Sequence, residues 1–226
     1  MPGQLFLIPN SLGNTDPDTF LPPQLKSLIT ELRYFVVENT RNARRYLKTI
    51  DQGIVIDDLT FFELNKHTDP GEISDFLRPV IEGHDMGVIS EAGLPGIADP
   101  GAVLVHMAHR ENITVVPLTG PSSIFLALMA SGFNGQSFRF VGYLPVQRNE
   151  RIHSVRRLEK IVNETNETQI FIETPYRNNA LLEDICSACS AQTLLTIAVD
   201  ITTETEMIKT MTIQEWKKKK PDLHKR

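Results

Sequence analysis

The first part of the chain alternates short apolar runs with segments in which polar and apolar positions recur at helical spacing. The apolar runs predict strands at Leu5–Ile8, Phe35–Glu38, Asp58–Leu64, Gly87–Ser90 and Thr114–Leu118. The helical segments between them are Pro23–Glu31, Asn42–Ile50, Pro70–Glu82 and Pro100–Glu111. Strands that alternate with helices in this order are typical of a mostly parallel sheet covered by helices.

The pattern changes after Thr119, where a small-residue apolar helix over 122–132 leads into further strands and helices. Strands are predicted within 138–144 and 169–174, and helices at Arg148–Lys160 and Arg177–Ala188. Residues 193–213 are rich in β-branched side chains and predict two or three strands, which would suit antiparallel pairing. We place a domain boundary near residues 117–120. The prediction is therefore two α/β domains, 1–117 with a mostly parallel sheet and 118–226 with a mixed sheet, and a ligand cleft between them.

Composition narrows the class of protein. A hydrophobic content of 41% and a charged content of 23% are those of a soluble globular chain, and no apolar run is long enough to span a membrane. The N-terminus lacks the basic region of a signal peptide, so we expect a cytoplasmic protein. The net charge of −5 argues against a dedicated, strongly basic nucleic-acid binder. Basic residues nevertheless cluster at 41–48, 148–160 and 217–220. Each cluster is either a solvated helix face or a set of phosphate contacts.

The cysteines and histidines do not predict a metal site. Cys186 and Cys189 form one C-x-x-C, without the second ligand pair that a zinc site needs. His106 and His109 lie on a helical segment without a third ligand. We therefore expect ordinary thiols and no metal.

A loop rich in glycine and proline, "SEAGLPGIADPG" at 90–101, follows the predicted strand Gly87–Ser90. Asp99 suits a helix N-cap and Pro100 a first helical position, but these roles leave 90–98 unexplained. The spacing fits neither a dinucleotide fingerprint nor a P-loop, and the loop has no lysine. Such a loop at the carboxyl end of a strand suits a ligand that has no phosphate, although plain turn chemistry is the alternative.

Three other loops follow predicted strands. "LTGPSSIFLA" at 118–127 places hydroxyls and helix N-terminal amides after a strand, and "LIPNSLGN" at 7–14 contains Gly13 for a turn. "VENTRNARR" at 37–45 carries Glu38 and Arg41. These two residues form either a structural ion pair or a base and a phosphate partner.

Together these loops resemble the tetrapyrrole methylase superfamily of S-adenosylmethionine-dependent methyltransferases. The likeness is strongest to its branch of small-subunit ribosomal RNA (cytidine-2′-O)-methyltransferases. The matching segments are Pro9 with Gly13 and Asn14, "ENTR" at 38–41, "SEAGLP" and "DPG" within 90–101, "TGPSS" at 119–123, "GYLP" at 142–145 and "ETPYR" at 173–177. The likeness extends over nearly the whole chain.

The resemblance implies a fold of two α/β domains with S-adenosylmethionine bound in the cleft between them. The donor contacts that it implies are Pro9, Ser90, Glu91, Ala92, Gly93, Pro95, Ile97, Ser122, Ser123, Ile124, Tyr143, Leu144 and Thr174. Glu38 and Arg41 are the candidate catalytic residues, and Arg41, Arg44, Arg45 and Arg148 are candidates for substrate binding. RNA or the small ribosomal subunit is the expected substrate, and a homodimer is the expected assembly.

The chain departs from the branch pattern at three positions. Asn39 stands where the branch has Asp, Glu91 also replaces an Asp, and Leu94 replaces a Thr. Two other functions are compatible with the sequence. One is methylation of a tetrapyrrole or another small molecule, and the other is binding of the donor without catalysis.

Overall fold

The computed structural model describes residues 2–13, 15–69 and 71–225. The chain divides into two compact units, one ending at Ser122 and the other beginning at Ser123. Asn14 and Pro70, which the sequence patterns included in a loop and in a helix, lie outside the described residues.

The first unit is built on a parallel sheet, as the alternating pattern predicts. Its strands are β1 (Gln4–Ile8), β2 (Tyr34–Val37), β3 (Thr60–Glu63), β4 (Met86–Ile89) and β5 (Thr114–Pro117). Among the described residues these five strands lie in the order β3-β2-β4-β1-β5, and every neighbouring pair is parallel. Because β1 is parallel to both β4 and β5 and lies between them, the loops that follow these three strands leave the same edge of the sheet side by side. Ligands of parallel α/β sheets bind at this carboxyl edge.

Helices cover both faces of this sheet. They are α1 (Pro23–Glu31), α2 (Thr40–Ile50), α3 (Ile73–Phe76), α4 (Arg78–Ile81) and α5 (Gly101–Arg110), with 3-10 turns at Pro17–Thr19 and Ile56–Asp58. Successive strand residues point to opposite faces. Phe6 and Val37 join the core beneath α1 and α2, whereas Leu5 and Val36 join the core beneath α3, α4 and α5. Burial on both faces explains the nearly continuous apolar strands.

Two sequence predictions for this unit were wrong in detail. The helix predicted over Pro70–Glu82 is instead α3 and α4, two single turns. The break lies at Leu77, two residues before Pro79, whose missing N–H and bulky ring are incompatible with one continuous helix through this point. The strand predicted from Asp58 begins at Thr60, because Asp58 belongs to a 3-10 turn.

The second unit contains strand pairs of both senses, which confirms the mixed pairing predicted for it. The parallel pair is β6 (Phe138–Tyr143) with β7 (Thr168–Ile172), and the antiparallel pair is β8 (Leu194–Val199) with β9 (Met207–Thr212). Within the described part of this unit the two pairs are separate sheets. Its helices are α6 (Ser123–Ser131), α7 (Arg148–Thr165), α8 (Asn178–Ala188) and α9 (Ile213–Lys218).

The short helix α9 was not predicted, since the strand prediction ended at Ile213 and no element was assigned after it. A capping box starts it: the Thr212 hydroxyl accepts the N–H of Glu215, and the Glu215 carboxylate accepts the N–H of Thr212. Trp216 is only 1% exposed and donates its indole N–H to the carbonyl of Leu195 at 2.9 Å. Burial of the Trp216 side chain therefore holds α9 against the rest of the second unit.

Candidate functional site

The loop after β1 is joined to the loop after β4 by Asn10. The backbones of Asn10 and Gly93 exchange two hydrogen bonds of 2.8 and 3.2 Å. The Asn10 side-chain amide also donates to the carbonyls of Ser90 at 2.8 Å and Glu91 at 3.1 Å. Asn10 is only 9% exposed, so the carboxyl ends of two neighbouring strands are held at one spacing. The sequence patterns did not single out Asn10, although an asparagine directly after a strand and a proline is a local signal for such a role.

Pro9, a predicted donor contact, is fixed from two sides. The buried Tyr46 hydroxyl of α2 donates to the Pro9 carbonyl at 2.5 Å. A phenol is protonated at physiological pH and can donate this bond, and burial raises the pKa of Tyr46 further above its ordinary value. On the other side Gly120 packs against the proline ring, because a Cβ at residue 120 would lie 2.1 Å from the Pro9 Cβ. Only glycine allows the loop after β5 to approach β1 so closely.

The loop at 90–101 is shaped by left-handed residues and by one carboxylate. Gly93, Gly96 and Ala98 have φ angles of 69°, 82° and 63°. The Asp99 carboxylate accepts the N–H groups of Gly96 at 2.9 Å and Gly101 at 2.7 Å. Asp99 thus holds the loop to the start of α5, which begins one residue later than predicted. The loop backbone is preorganised by its own sequence.

Three carboxylates, those of Glu38, Glu91 and Asp99, lie close enough together at this edge to influence one another. Glu38, directly after β2, accepts the N–H of Glu91 at its Oε1 atom at 2.9 Å. Burial raises the pKa of Glu38, and the charges of Asp99 and Glu91 add to the shift, while the bond from Glu91 opposes it. Burial likewise raises the pKa of Asp99 against its two backbone hydrogen bonds.

A small pocket lies between Glu38 and Asp99, and the described residues that line it include no lysine or arginine. Ser90, at the end of β4, is 5% exposed and also lines this pocket. Such a lining suits a cationic or neutral ligand and opposes a phosphate.

The arginines predicted to bind substrate lie on α2, and Arg41, Arg44 and Arg45 are all exposed. The Arg44 guanidinium lies 5.4 Å from the centre of the Phe61 ring. Asn39 caps this helix, because its side-chain oxygen accepts the N–H of Asn42 at 3.1 Å. Asparagine and aspartate are equally good at this position, so the replacement of Asp by Asn at residue 39 keeps the helix start intact.

The remaining predicted donor contacts lie in the second unit, except Ser122, which ends the first. Ser123 and Ile124 begin α6, Tyr143 ends β6, and Leu144 and Thr174 follow β6 and β7. The Arg177 guanidinium joins the segments after β6 and β7. It donates to the Leu144 carbonyl at 3.2 Å and to the Glu173 carboxylate at 2.5 Å. Whether these residues contact a donor stays a prediction.

Arg148 was predicted to bind substrate, and the structure places it in an ion-pair cluster at the start of α7. Arg148 and Arg151 both bind the carboxylate of Asp184, at 2.8 and 2.6 Å. Arg151 also donates to the Val146 carbonyl at 2.6 Å. Arg148 keeps a side chain that is 69% exposed, so it retains surface toward solvent beside its structural role.

No group of three or more His, Cys, Asp or Glu side chains in the described residues could hold a metal ion. Burial raises the pKa of the Cys186 thiol, and raises that of Cys189 to about 12. Both thiols are therefore poor nucleophiles at neutral pH. No helix in the described ranges has the length and apolar character needed to cross a bilayer.

Comparison with known proteins places this chain in a family. The model of the tetrapyrrole (corrin/porphyrin) methylases matches residues 28–217. The chain is 34% identical over 183 residues to ribosomal RNA small subunit methyltransferase I of Halalkalibacterium halodurans, which covers 81% of this chain and 59% of the relative. It is 28% identical over 211 residues to the protein of the same name in Vibrio cholerae, covering 93% of this chain and 69% of that one.

A solved structure shows the same fold. The crystal structure of the methyltransferase CobJ aligns with 94% of this chain and 87% of its own, with a TM-score of 0.61 and 17% identity. The chain spans less than two thirds of the length of the H. halodurans relative. Because the family model matches most of the chain and that relative is 34% identical over 81% of it, the chain belongs to the tetrapyrrole (corrin/porphyrin) methylase family.

Proposed function

We propose that this chain transfers a methyl group from S-adenosylmethionine to a ribose 2′-hydroxyl of small-subunit ribosomal RNA. The observation that carries the donor assignment is the edge at which Glu38, Glu91 and Asp99 meet, where the described residues lining the small pocket between Glu38 and Asp99 include no basic side chain. S-adenosylmethionine carries a sulfonium and an ammonium group and no phosphate. Its charge suits this edge, whereas a nucleotide phosphate would be repelled.

The residues proposed to hold the donor in the first unit are Pro9 and the loop from Ser90 to Ile97. Asn10, Tyr46 and Asp99 fix their backbone through the hydrogen bonds described above. A backbone held in this way can bind without reorganising, which lowers the cost of binding. The bound donor supplies the methyl group.

Catalysis by this chain is proposed to rest on alignment and on one carboxylate. An in-line displacement needs the attacking oxygen and the methyl carbon held in contact and shielded from water. Glu38 is the proposed proton acceptor at Oε2, since its Oε1 already accepts the N–H of Glu91. Its raised pKa makes it a stronger base than a solvated carboxylate, and general-base help of this kind is worth on the order of 10²–10⁴-fold.

The acceptor assignment is supported by the names of the two relatives and by the exposed arginines of α2. Arg41 and Arg45 are proposed to bind RNA phosphates, with Arg44 contributing beside Phe61. The proposal includes action on ribosomal subunits in the cytoplasm and assembly as a homodimer. Light scattering of the purified chain tests the homodimer directly.

We expect Arg41→Ala to weaken binding to small ribosomal subunits in a salt-dependent way. Loss of one phosphate contact should lower the slope of log affinity against log salt by about 0.7 to 0.9. Filter binding over a range of potassium chloride concentrations measures that slope. Arg110→Ala, at the exposed end of α5, is the matched control. An unchanged slope in Arg41→Ala would remove Arg41 from the RNA contact.

Methyl transfer from labelled S-adenosylmethionine to undermethylated small ribosomal subunits tests the proposed function as a whole. We expect label in the RNA, at a ribose. Label on an added tetrapyrrole, but not on the subunits, would replace the acceptor. Tight binding of S-adenosylhomocysteine in calorimetry without transfer to either substrate would point to a donor-binding protein that is not an enzyme.

A further inference from the structure

Glu91 is held through its backbone by Glu38, directly after β2, and through its side chain by Asn42 of α2. Its backbone N–H donates to Glu38, and its side-chain carboxylate accepts the Asn42 side-chain amide at 2.6 Å. Asn42 lies 49 residues and Glu38 lies 53 residues from Glu91 in the sequence. Since Glu91 itself is exposed, packing does not fix its side chain. The bond from Asn42 holds the side chain of residue 91, while the bonds to Glu38 and from Asn10 hold its backbone.

Asn42 is itself held in place by the start of its helix. It is the third residue of α2, and its backbone N–H donates to the Asn39 side chain at 3.1 Å. A capped helix start fixes the backbone and so limits the directions that a side chain on it can take. The bond from the Asn42 amide to Glu91 has a charged acceptor and is short, which are the features of a strong hydrogen bond.

We propose that Asn42 is a positioning residue, which orients the loop from Ser90 to Ile97 for the methyl donor by holding the Glu91 carboxylate. This inference rests on the proposed function, because it assumes that this loop binds the donor. Asn42 follows Arg41 and precedes Arg44 on α2. The same bond therefore connects the helix proposed to bind RNA with the loop proposed to bind the donor.

Introducing a carboxylate at residue 42 tests the role of Asn42 without unfolding the protein. Asn42→Asp places a carboxylate against that of Glu91 and removes the hydrogen bond. An acidic residue in the first turn of a helix is favourable to the helix dipole, so the melting temperature should not fall. Asn42→Asp combined with Glu91→Gln restores a hydrogen bond with donor and acceptor exchanged. Gln214→Asp, at an exposed first-turn position of α9, adds the same charge in the second unit and is the control.

Calorimetry with S-adenosylhomocysteine is the primary measurement, and the KM for S-adenosylmethionine is the second. We expect Asn42→Asp to weaken binding and to raise KM by about tenfold, while kcat changes less than twofold. The double variant should bind at least threefold more tightly than Asn42→Asp, and Gln214→Asp should bind like the parent protein. A merely structural role would lower the active fraction, and hence kcat, without this rescue.

The outcomes separate this inference from the proposed function. If the parent protein binds S-adenosylhomocysteine and Asn42→Asp binds it equally well, the positioning role is overturned and the donor assignment stands. A double variant no better than Asn42→Asp would overturn it in the same way. If the parent protein does not bind S-adenosylhomocysteine at all, the proposed function fails and this inference fails with it.

Discussion

Gly120→Ala is expected to weaken S-adenosylhomocysteine binding by at least about tenfold, which corresponds to about 1.4 kcal/mol. The new methyl group would lie 2.1 Å from the Cβ and 2.5 Å from the Cγ of Pro9. A proline ring cannot rotate away, so the loops after β1 and β5 must separate. Pro9 would then leave the place in which the Tyr46 hydroxyl holds its carbonyl. Overpacking of this kind also costs about 1–3 kcal/mol of stability.

The control for Gly120→Ala is Gly135→Ala in the second unit. A Cβ at Gly135 would meet no atom of the described residues within 4 Å, so this substitution should leave both binding and stability close to those of the parent protein. Isothermal calorimetry and urea unfolding of both variants separate loss of binding from loss of fold. Parent-like affinity in Gly120→Ala would mean that the spacing between Pro9 and residue 120 does not matter for the donor.

The parallel sheet of the first unit was predictable because its strands are buried on both faces. All four residues of β4 are buried, which produces an apolar run that stands out in the sequence. Glycine- and proline-rich loops after β1, β4 and β5 then marked the carboxyl edge as the place to look for a ligand. The acidic character of that edge could not be predicted, since it depends on Glu38, Glu91 and Asp99 coming together in space.

The residues that hold the site together were missed for the same reason. Asn10 bonds to residues 80 and 81 positions away, and the Tyr46 hydroxyl reaches a carbonyl 37 positions away. Local periodicity marks Tyr46 only as a core residue of an amphipathic helix. A hydrogen bond between distant loops leaves no periodic trace in a single sequence.

Asn39 and Glu91, two departures from the family pattern, have different roles in the structure. Asn39 performs the capping that an aspartate would perform, so nothing is lost for helix α2. Glu91 is different, because its carboxylate binds Asn42 across the site. The sequence alone treats both as the loss of one aspartate, and only the partner of each side chain distinguishes them.

Asp184→Asn is expected to lower the free energy of unfolding of the second unit by about 3 kcal/mol, near the lower end of the range for breaking a buried ion pair. Asp184 is 2% exposed and Arg151 is 7% exposed, so the substitution leaves a buried guanidinium without its counterion. The bond from Arg151 to the Val146 carbonyl survives and keeps the loss from being larger. Urea unfolding measures the change, and Asp75→Asn, in the exposed pair with Arg78, should cost less than about 1 kcal/mol.

The ion pair between Asp184 and Arg151 should also make the stability of the protein depend on pH. Burial opposes the ionisation of Asp184, but the hydrogen bonds and charges of Arg148 and Arg151 outweigh it and lower its pKa. A carboxyl whose pKa is lower in the folded than in the unfolded protein stabilises the fold above its unfolded pKa, near 4, and this contribution is lost as pH falls through the folded pKa. The difference in stability between the parent protein and Asp184→Asn should therefore be largest at neutral pH and shrink below about pH 4. A difference that stays constant down to pH 3 would show that packing, and not the charge of Asp184, holds Arg151 in place.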